Sequence, residues 1–519
     1  MPRLSTELLV IGGGATGLGI AWDACLRGFK VVLIEQSDLG QGTSGRYHGL
    51  LHSGARYAIT GPSLAHECAQ ENAILRRIAS PAIEDTGGYF LATPADPLHY
   101  PDRWLEACKQ AGLQAEEVGV AELLRREPRL SPRISRAFRV HDASLDSFDL
   151  LHMLSGSILE AGGQVLLHHR LVGFIRHGGA LVAAEIEDLR SASVLRIAFD
   201  LAINAGGPWA GQIANLAGIH LPLALGKGTM VAMASRPVHS VLNRCRPPSD
   251  GDIIVPIGSV AVLGTTDIPV SHPRDMQIQD QEVDALLSEA EMLLPGSTHA
   301  RILRAWAGIR PLLAPSADED APETRNIGRA HAIIDHEAQN GPSGIISVIG
   351  GKLTTFRLMA QECLDVVCMR LGRSVECSTA TTPLEQADRR FFALPMRHRQ
   401  LAHRERGDIA SDLICECEFV PREDIRRTLA ADSPQTLDDL RRDLRIGMGP
   451  CQAGFCAFRT AEIMAQVLPQ PSQDLAAFLH ERWKGLRPVA WGDTLEQMEL
   501  TRRLYAELLG FSQPPGRFS

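Results

Sequence analysis

Four of the 11 cysteines fall into two short groups, Cys415-Glu-Cys417 and Cys451-Gln-Ala-Gly-Phe-Cys456, with no His between Cys415 and Cys456. Four thiolates gathered this way suit a soft metal centre. Structural zinc favours C-x2-C pairs, so C-x-C followed by C-x4-C favours iron–sulfur, with zinc second and a pair of disulfides third. Gly447, Gly449 and Gly454 leave backbone N–H groups free to face cluster sulfurs, and a helix beginning just after Cys456 would turn its positive end toward an anionic centre. At the other end of the chain, Gly12, Gly14 and Gly17 satisfy G-x-G-x-x-G, and Glu35 follows about 20 residues later. Glycines at this spacing let the backbone turn tightly and approach a pyrophosphate, while the acid can accept hydrogen bonds from ribose hydroxyls and repel a 2′-phosphate. FAD and NAD both fit; an N-terminal site followed by a long second segment leans toward FAD. A flavin takes a hydride and an iron–sulfur centre passes electrons singly, so the pairing suits a chain that sends electrons onward.

These residues need elements to hold them. The apolar run ELLVI (7–11) predicts a buried strand, Ala15 to Arg27 a helix, and KVVLI (30–34) a second strand, which together make a βαβ unit. Strand-then-glycine punctuation returns at LAINAGG (201–207) and GIISVIGG (344–351). Such separation predicts an α/β fold in which a discontinuous Rossmann-like FAD-binding domain (about 1–85, 140–220 and 340–384) carries an inserted antiparallel-sheet substrate domain (about 86–139 and 221–339). The Arg- and His-crowded stretch 385–408 reads as a linker, 409–470 as a small helical four-cysteine iron–sulfur domain, and 471–519 as a helical tail. Within that tail Thr494 to Leu509 has amphipathic spacing, with packing onto its own domain as the default and a partner or membrane surface as the alternative.

Composition bounds the function. At 519 residues, 45% hydrophobic and 22% charged, with a net charge of −9, the chain is a multidomain globular protein with little electrostatic support for nucleic acid. The seven other cysteines show no pairing rhythm, which argues against a secreted disulfide framework. No run reaches the ~18 apolar residues of a membrane span. The apolar stretch Leu8 to Ala21 could pass for a signal-peptide core, but cleavage there would remove the glycine motif. The expected location is therefore the cytoplasm.

Further motifs carry a resemblance that runs nearly end to end. HGLLHSGARYA (48–58), NAGGPWA (204–210), GTTD (264–267), AGIRPL (307–312), GGKLTTFR (350–357), GMGPCQAGFC (447–456) and ERWKGLRPVAWGD (481–493) resemble the anaerobic glycerol-3-phosphate dehydrogenase A-subunit family. These are FAD-dependent oxidoreductases of glycine-oxidase and glutathione-reductase type. The cysteine segment is similar to the bacterioferritin-associated-ferredoxin domain, an appended [2Fe-2S] module. Asp267 departs from some of these anaerobic enzymes, which carry a small polar residue there, and agrees with the aerobic ones.

The resemblance implies oxidation of sn-glycerol 3-phosphate to dihydroxyacetone phosphate by hydride transfer to FAD. Electrons would then pass through a [2Fe-2S] cluster, held by Cys415, Cys417, Cys451 and Cys456, to partner subunits and a membrane quinone. The enzyme would sit at the inner face of the cell membrane through those partners. It places Arg56, Arg310 and Lys352 at the substrate, where a phosphate dianion needs cationic forks. It makes His52 a candidate base, with His48 behind it, and gives Thr266 a hydroxyl toward substrate or flavin. Thr43, Ser44, Gly45, Gly206, Gly207, Gly350, Gly351, Leu353 and Thr354 are its cofactor-binding residues. Arg46 belongs to the same loop as Thr43. Arg357 is open to pairing with a carboxylate beneath the site, and Arg482, Lys484 and Arg487 have local packing as their default. Two alternatives stand beside this reading: an amino-acid or opine dehydrogenase component, whose carboxylate substrate needs one Arg, and a non-catalytic flavin/iron–sulfur electron-delivery protein.

Overall fold

The computed structural model describes residues 3–314, 324, 327, 328, 330–384, 399, 401, 402, 406, 412–431, 436–467 and 471–509; the stretch read as a linker lies mostly outside them. Segments far apart in sequence build the central six-stranded sheet. Its order is Gln164–Leu167, Val31–Glu35, Leu8–Ile11, Leu201–Asn204, Ile345–Gly350 and His331–Asp335, with the first five strands parallel and the last antiparallel. Leu8–Ile11 and Leu201–Asn204 are buried at every position, as a parallel strand covered on both faces requires. The helices Ala15–Leu26, Ser147–Glu160 and Phe356–Arg370 pack together against one face, around Trp22, Phe356 and Leu364. The small sheet of His169–His177, Ala180–Asp188, Val194–Ala198 and Arg3–Ser5 covers the other.

A nine-stranded sheet draws on both 88–140 and 223–313. Most of its pairings are antiparallel, with Leu223–Met233 and Ile302–Leu313 as its longest pair. The expected all-antiparallel sheet is broken at one place: Val241–Arg244 runs parallel to Gly88–Ala92, where the two chain segments meet without a hairpin to reverse direction. Ile302–Leu313 matters most for function, because it runs from the neighbourhood of the cysteine unit to the glycine cradle described below.

The cysteine unit comprises the short hairpin Leu413–Cys415 and Val420–Pro421 with the helices Arg422–Ala431, Leu437–Leu444, Cys456–Ala465 and Pro471–Lys484. Its core includes Ile414, Ile425, Leu440, Phe478, Leu479 and Tyr505. Buried charges dock it onto the larger unit. Arg442 pairs with Asp38, and Arg445 pairs with both Asp146 and, at 3.1 Å, Glu418. Removing the Arg445 guanidinium would take a buried counter-charge from two carboxylates at once, which costs about 3–5 kcal/mol. The backbone adds Ala305 N–H donating to Gly485 O at 2.8 Å. Helix Gly492–Arg503 packs inward through Thr494 and Thr501, while Leu495 and Leu500 point outward, 52% exposed each. Thr494 Oγ1 donates to Ile302 O and Gln497 Oε1 accepts from Arg301, and of the apolar residues aligned by the spacing Tyr505 enters the core of the cysteine unit with Leu509 packed against it.

Candidate functional site

The turn after Leu8–Ile11 is set by contacts that exclude side chains. Gly12 has φ 120°, and a Cβ there would lie 2.5 Å from Ala205 O; one on Gly17 would lie 1.9 Å from Gly12 O. Gly17→Ala must therefore force the helix Ala15–Leu26 away from the turn. We expect purified protein of this variant to carry less than about a tenth of the wild-type flavin, measured by fluorescence after denaturation, since a tenfold loss needs only about 1.4 kcal/mol. Retained stoichiometric flavin would show that the turn is not the cofactor's cradle.

Around this turn the hydrogen bonds converge. Gly13 N–H donates to Glu35 Oε2 at 2.7 Å and Ser37 N–H to Oε1 at 2.8 Å. Burial raises the Glu35 pKa, opposed by these N–H donors. Ala15 N–H, in the first turn of the helix, donates to Ser44 Oγ at 3.0 Å. A cavity of about 980 Å³ opens here, at the large end for a ligand pocket. Its wall includes Gly12, Gly14, Glu35, Thr43, Ser44, Gly206, Gly207, Gly350, Gly351, Leu353 and Thr354. Gly17 and Gly45 stand behind it; a Cβ on Gly45 would meet Gly40 O at 2.1 Å, so Gly45 permits the loop to fold rather than touching a ligand.

The same cavity continues to His48, His52, Tyr57, Arg310 and Lys352. Arg310 is aimed by three oxygens: Nη2 donates to Thr265 Oγ1 at 2.5 Å and Thr266 O at 3.0 Å, and Nη1 lies 3.1 Å from Asp267 Oδ1. Lys352 Nζ lies 4.3 Å from the Tyr57 ring centroid, a cation–π contact. Burial, then Arg310 and Arg56, lower the His48 pKa to about 3. Leu50 N–H donates to His48 Nδ1 at 3.1 Å, so the neutral ring carries its proton on Nε2. His52 is 9% exposed, edge-on to His48 at 5.9 Å and 5.5 Å from the Tyr57 ring.

Other expected residues stand off the wall. Arg56 pairs with buried Asp252 at 2.9 Å, and Asp252 also holds Arg246. Arg56 thus reaches the site as a field felt at His48 and not as a lining fork. Thr266 is 3% exposed, accepts from Thr229 N–H and donates to Glu282 Oε1, each at 3.0 Å, which satisfies its hydroxyl locally. Arg357 forks onto Glu71 at 2.8 and 2.5 Å and is structural. Sequence reasoning did not single out Asp267 as the carboxylate that orients Arg310; its place two residues after the oxygen-donating Thr265 was the available signal. Gln212, Arg274 and Met276 also line the cavity from segments with no motif to mark them.

In the cysteine unit, none of the four thiols is in a disulfide. Their sulfurs interact pairwise in a chain, Cys415 with Cys456, Cys456 with Cys451, and Cys451 with Cys417. Among the described residues no three His, Cys, Asp or Glu side chains gather about one point as a single-ion site. Cys417 and Cys456 lower the Cys451 thiol, with the Ala453 and Gly454 N–H groups adding to the effect, and Cys456 with the Gly447 and Glu418 N–H groups lowers the Cys415 thiol; the same contacts raise Cys417 and Cys456. A Cβ on Gly449 would lie 2.2 Å from Cys417 Cβ, so only glycine allows the two loops this approach. Backbone donors around paired thiolates fit an anionic thiolate-bound cluster.

A glycine cradle at a strand-to-helix turn, one cavity running from it to buried cations, and a thiolate set docked alongside define an oxidoreductase of the dinucleotide-binding class. A family model described as FAD dependent oxidoreductase matches residues 7–357, and a BFD-like [2Fe-2S] binding domain matches 413–466. The chain is 38% identical to the A-subunit of anaerobic glycerol-3-phosphate dehydrogenase from Haemophilus influenzae, over 99% of this chain and 94% of that one. It is 37% identical to the corresponding A-subunit of Escherichia coli K12, over 98% of each. The chain belongs to the FAD-dependent oxidoreductase family and, within it, to the family of these A-subunits. Among solved structures, a Bacillus halodurans glycerol-3-phosphate dehydrogenase complexed with FAD is similar in fold, with TM-score 0.61 and 22% identity over 99% of this chain and 97% of that one. Glycine oxidase from Geobacillus kaustophilus aligns with 74% of this chain and all of its own, with TM-score 0.55 and 19% identity.

Proposed function

We propose that the protein oxidises sn-glycerol 3-phosphate to dihydroxyacetone phosphate, and that electrons leave through the cysteine unit toward partner subunits and a membrane quinone. The observation that carries this reading is the single cavity joining the glycine cradle to Arg310, Lys352 and His52. FAD in that cavity supplies a hydride acceptor, and a [2Fe-2S] centre on the four thiolates supplies a one-electron outlet. Arg310, pre-aimed by Thr265, Thr266 and Asp267, and Lys352 bind the phosphate dianion at the cationic end. Neutral His48 donates from Nε2 to a substrate oxygen. His52 accepts the proton of the hydroxyl oxygen as the hydride leaves the carbon that bears it, so the carbonyl forms without a charged intermediate. Gly12, Gly14, Ser44, Gly206, Gly207, Gly350, Gly351, Leu353 and Thr354 hold the cofactor, and Glu35 takes its ribose hydroxyls. The relatives' being named as one subunit of an enzyme supports partner subunits, and among the described residues no helix is long and apolar enough to cross a membrane.

The test is substrate choice. Under anaerobic conditions glycerol 3-phosphate should bleach the flavin, and glycerol, glycine and proline at the same concentration should do so at least about 100-fold more slowly, because none brings the dianion that the two cations hold. Bleaching by an amino acid in preference would assign the site to amine oxidation; no bleaching by any of them would favour electron delivery without a small substrate.

A further inference from the structure

The motif ERWKGLRP (481–488) has no role in the chemistry above. Its Arg482 is 2% exposed, yet among the described residues no carboxylate lies within ion-pair distance of it. Nη2 donates to Gln452 Oε1 at 2.8 Å, Nη1 lies 3.7 Å from Met448 Sδ, and Nε has no hydrogen-bond partner. Gln452 follows Cys451 directly and donates in turn to Gly449 O at 2.9 Å, so the guanidinium is tied to the loop that carries two of the four thiols. A buried guanidinium lacking an anion is costly and calls for one.

Two other guanidiniums lead the charges that act on Arg482. The groups acting most on it after burial are Arg304 and Arg441, followed by Asp438 and the Cys456 sulfur. Arg304, on strand Ile302–Leu313, lies against Gly485 and also has an Nε without partner; burial, Arg441 and Arg46 lower its pKa to about 10, against the opposing pull of Glu481 and Asp438. Arg46 is on the wall of the flavin cavity, donates to Gln41 O at 2.9 Å and feels the charge of Glu481. Arg441 has its own carboxylate, Asp438 at 2.7 Å. Arg46 on the cavity wall, Arg304, Arg441 and Arg482 thus feel one another's charge, and of these the buried Arg482 and the half-buried Arg304 each have an unpartnered Nε.

We infer that Arg482, held by Gln452 beside Cys451 and reinforced by Arg304, is the counter-charge of the thiolate-bound [2Fe-2S] centre and raises its reduction potential, so that electrons are drawn from the flavin cavity into the cysteine unit. The inference rests on the reading of the four thiolates given above. A thiolate-bound centre is anionic and gains one further negative charge when it takes up one electron, here released from the reduced flavin as substrate is oxidised. A fixed cation in a poorly screened interior stabilises the more negative state by more than the less negative one. Arg482 and Arg304 are thus positioning charges, remote from the substrate.

The test is a potentiometric titration of the full chain, reconstituted anaerobically, with the cluster followed by EPR and the flavin by absorbance. Arg482→Met should lower the cluster midpoint by at least a tenfold change in its one-electron equilibrium, about 59 mV, with a smaller movement of the flavin couple. Arg482→Lys should restore most of the shift, and Arg304→Met should lower the midpoint in the same direction by less. Normal iron and sulfide content with an unmoved or raised midpoint in Arg482→Met overturns the inference. If that variant does not assemble a cluster, Arg304→Met decides in the same way, a lowered midpoint supporting the inference and an unmoved one overturning it. A wild-type chain that assembles no cluster overturns the thiolate reading itself, and the inference with it.

Discussion

Cys451→Ser should erase the visible and EPR spectrum of the cluster and reduce acceptor-linked turnover by more than about 100-fold, while glycerol 3-phosphate still reduces the flavin at close to the wild-type rate. Cys451 is one of the two inner sulfurs of the chain, touching Cys417 and Cys456, and both lower its thiol. A thiolate is the soft ligand that iron takes here, and a hard, protonated serine oxygen cannot replace it. Nothing in the change reaches the site of oxidation, because Cys451 is absent from the cavity wall that carries Arg310 and Lys352. Single-turnover flavin reduction and steady-state reduction of a quinone analogue would separate the two functions. Equal loss of both in a variant that melts like wild type would mean that the two centres do not act in sequence.

Arg310→Met should lower kcat/KM for glycerol 3-phosphate by about two orders of magnitude, mainly through KM. Two charge-assisted hydrogen bonds to phosphate at roughly 1.5 kcal/mol each amount to about 3 kcal/mol. The effect should be local, because Asp267, which loses its cation, still accepts from Thr324 Oγ1 at 2.7 Å. Arg310→Lys returns the charge without the fork and should recover only part of the loss. The check is steady-state kinetics with an artificial acceptor, together with inhibition by inorganic phosphate, which should weaken in parallel. A KM that stays at the wild-type value would move phosphate recognition elsewhere on the wall.

The glycine cradle was legible in the sequence because its requirements are local: a strand, a tight turn, a helix and an acid, close together in the chain. The thiol quartet was legible for a similar reason, each pair lying in one short loop. The arginines were not. An arginine beside glycine reads the same whether its fork faces a ligand or a distant carboxylate, and Arg56 found Asp252 across 196 residues while Arg357 found Glu71 across 286. Thr266 was ambiguous in the same way, its partner Glu282 lying on a helix that no motif connects to it. The C-terminal helix shows a different limit: of the apolar residues that its spacing aligns, Tyr505 is buried while Leu495 and Leu508 stay exposed, and Thr494 and Thr501 are covered instead. Arg482 stood in a recognisable motif, and only its burial without a carboxylate gave it meaning.

That one polypeptide oxidises a phosphorylated alcohol at one site and passes the electrons to a second is tested most directly by anaerobic titration of the reconstituted chain with glycerol 3-phosphate and no external acceptor. Flavin absorbance should fall and a reduced-cluster EPR signal should grow in the same titration, with more substrate consumed than there is flavin, because the cluster stores an additional electron. Bleaching that ends at one substrate per flavin, with an assembled cluster left fully oxidised, would contradict it.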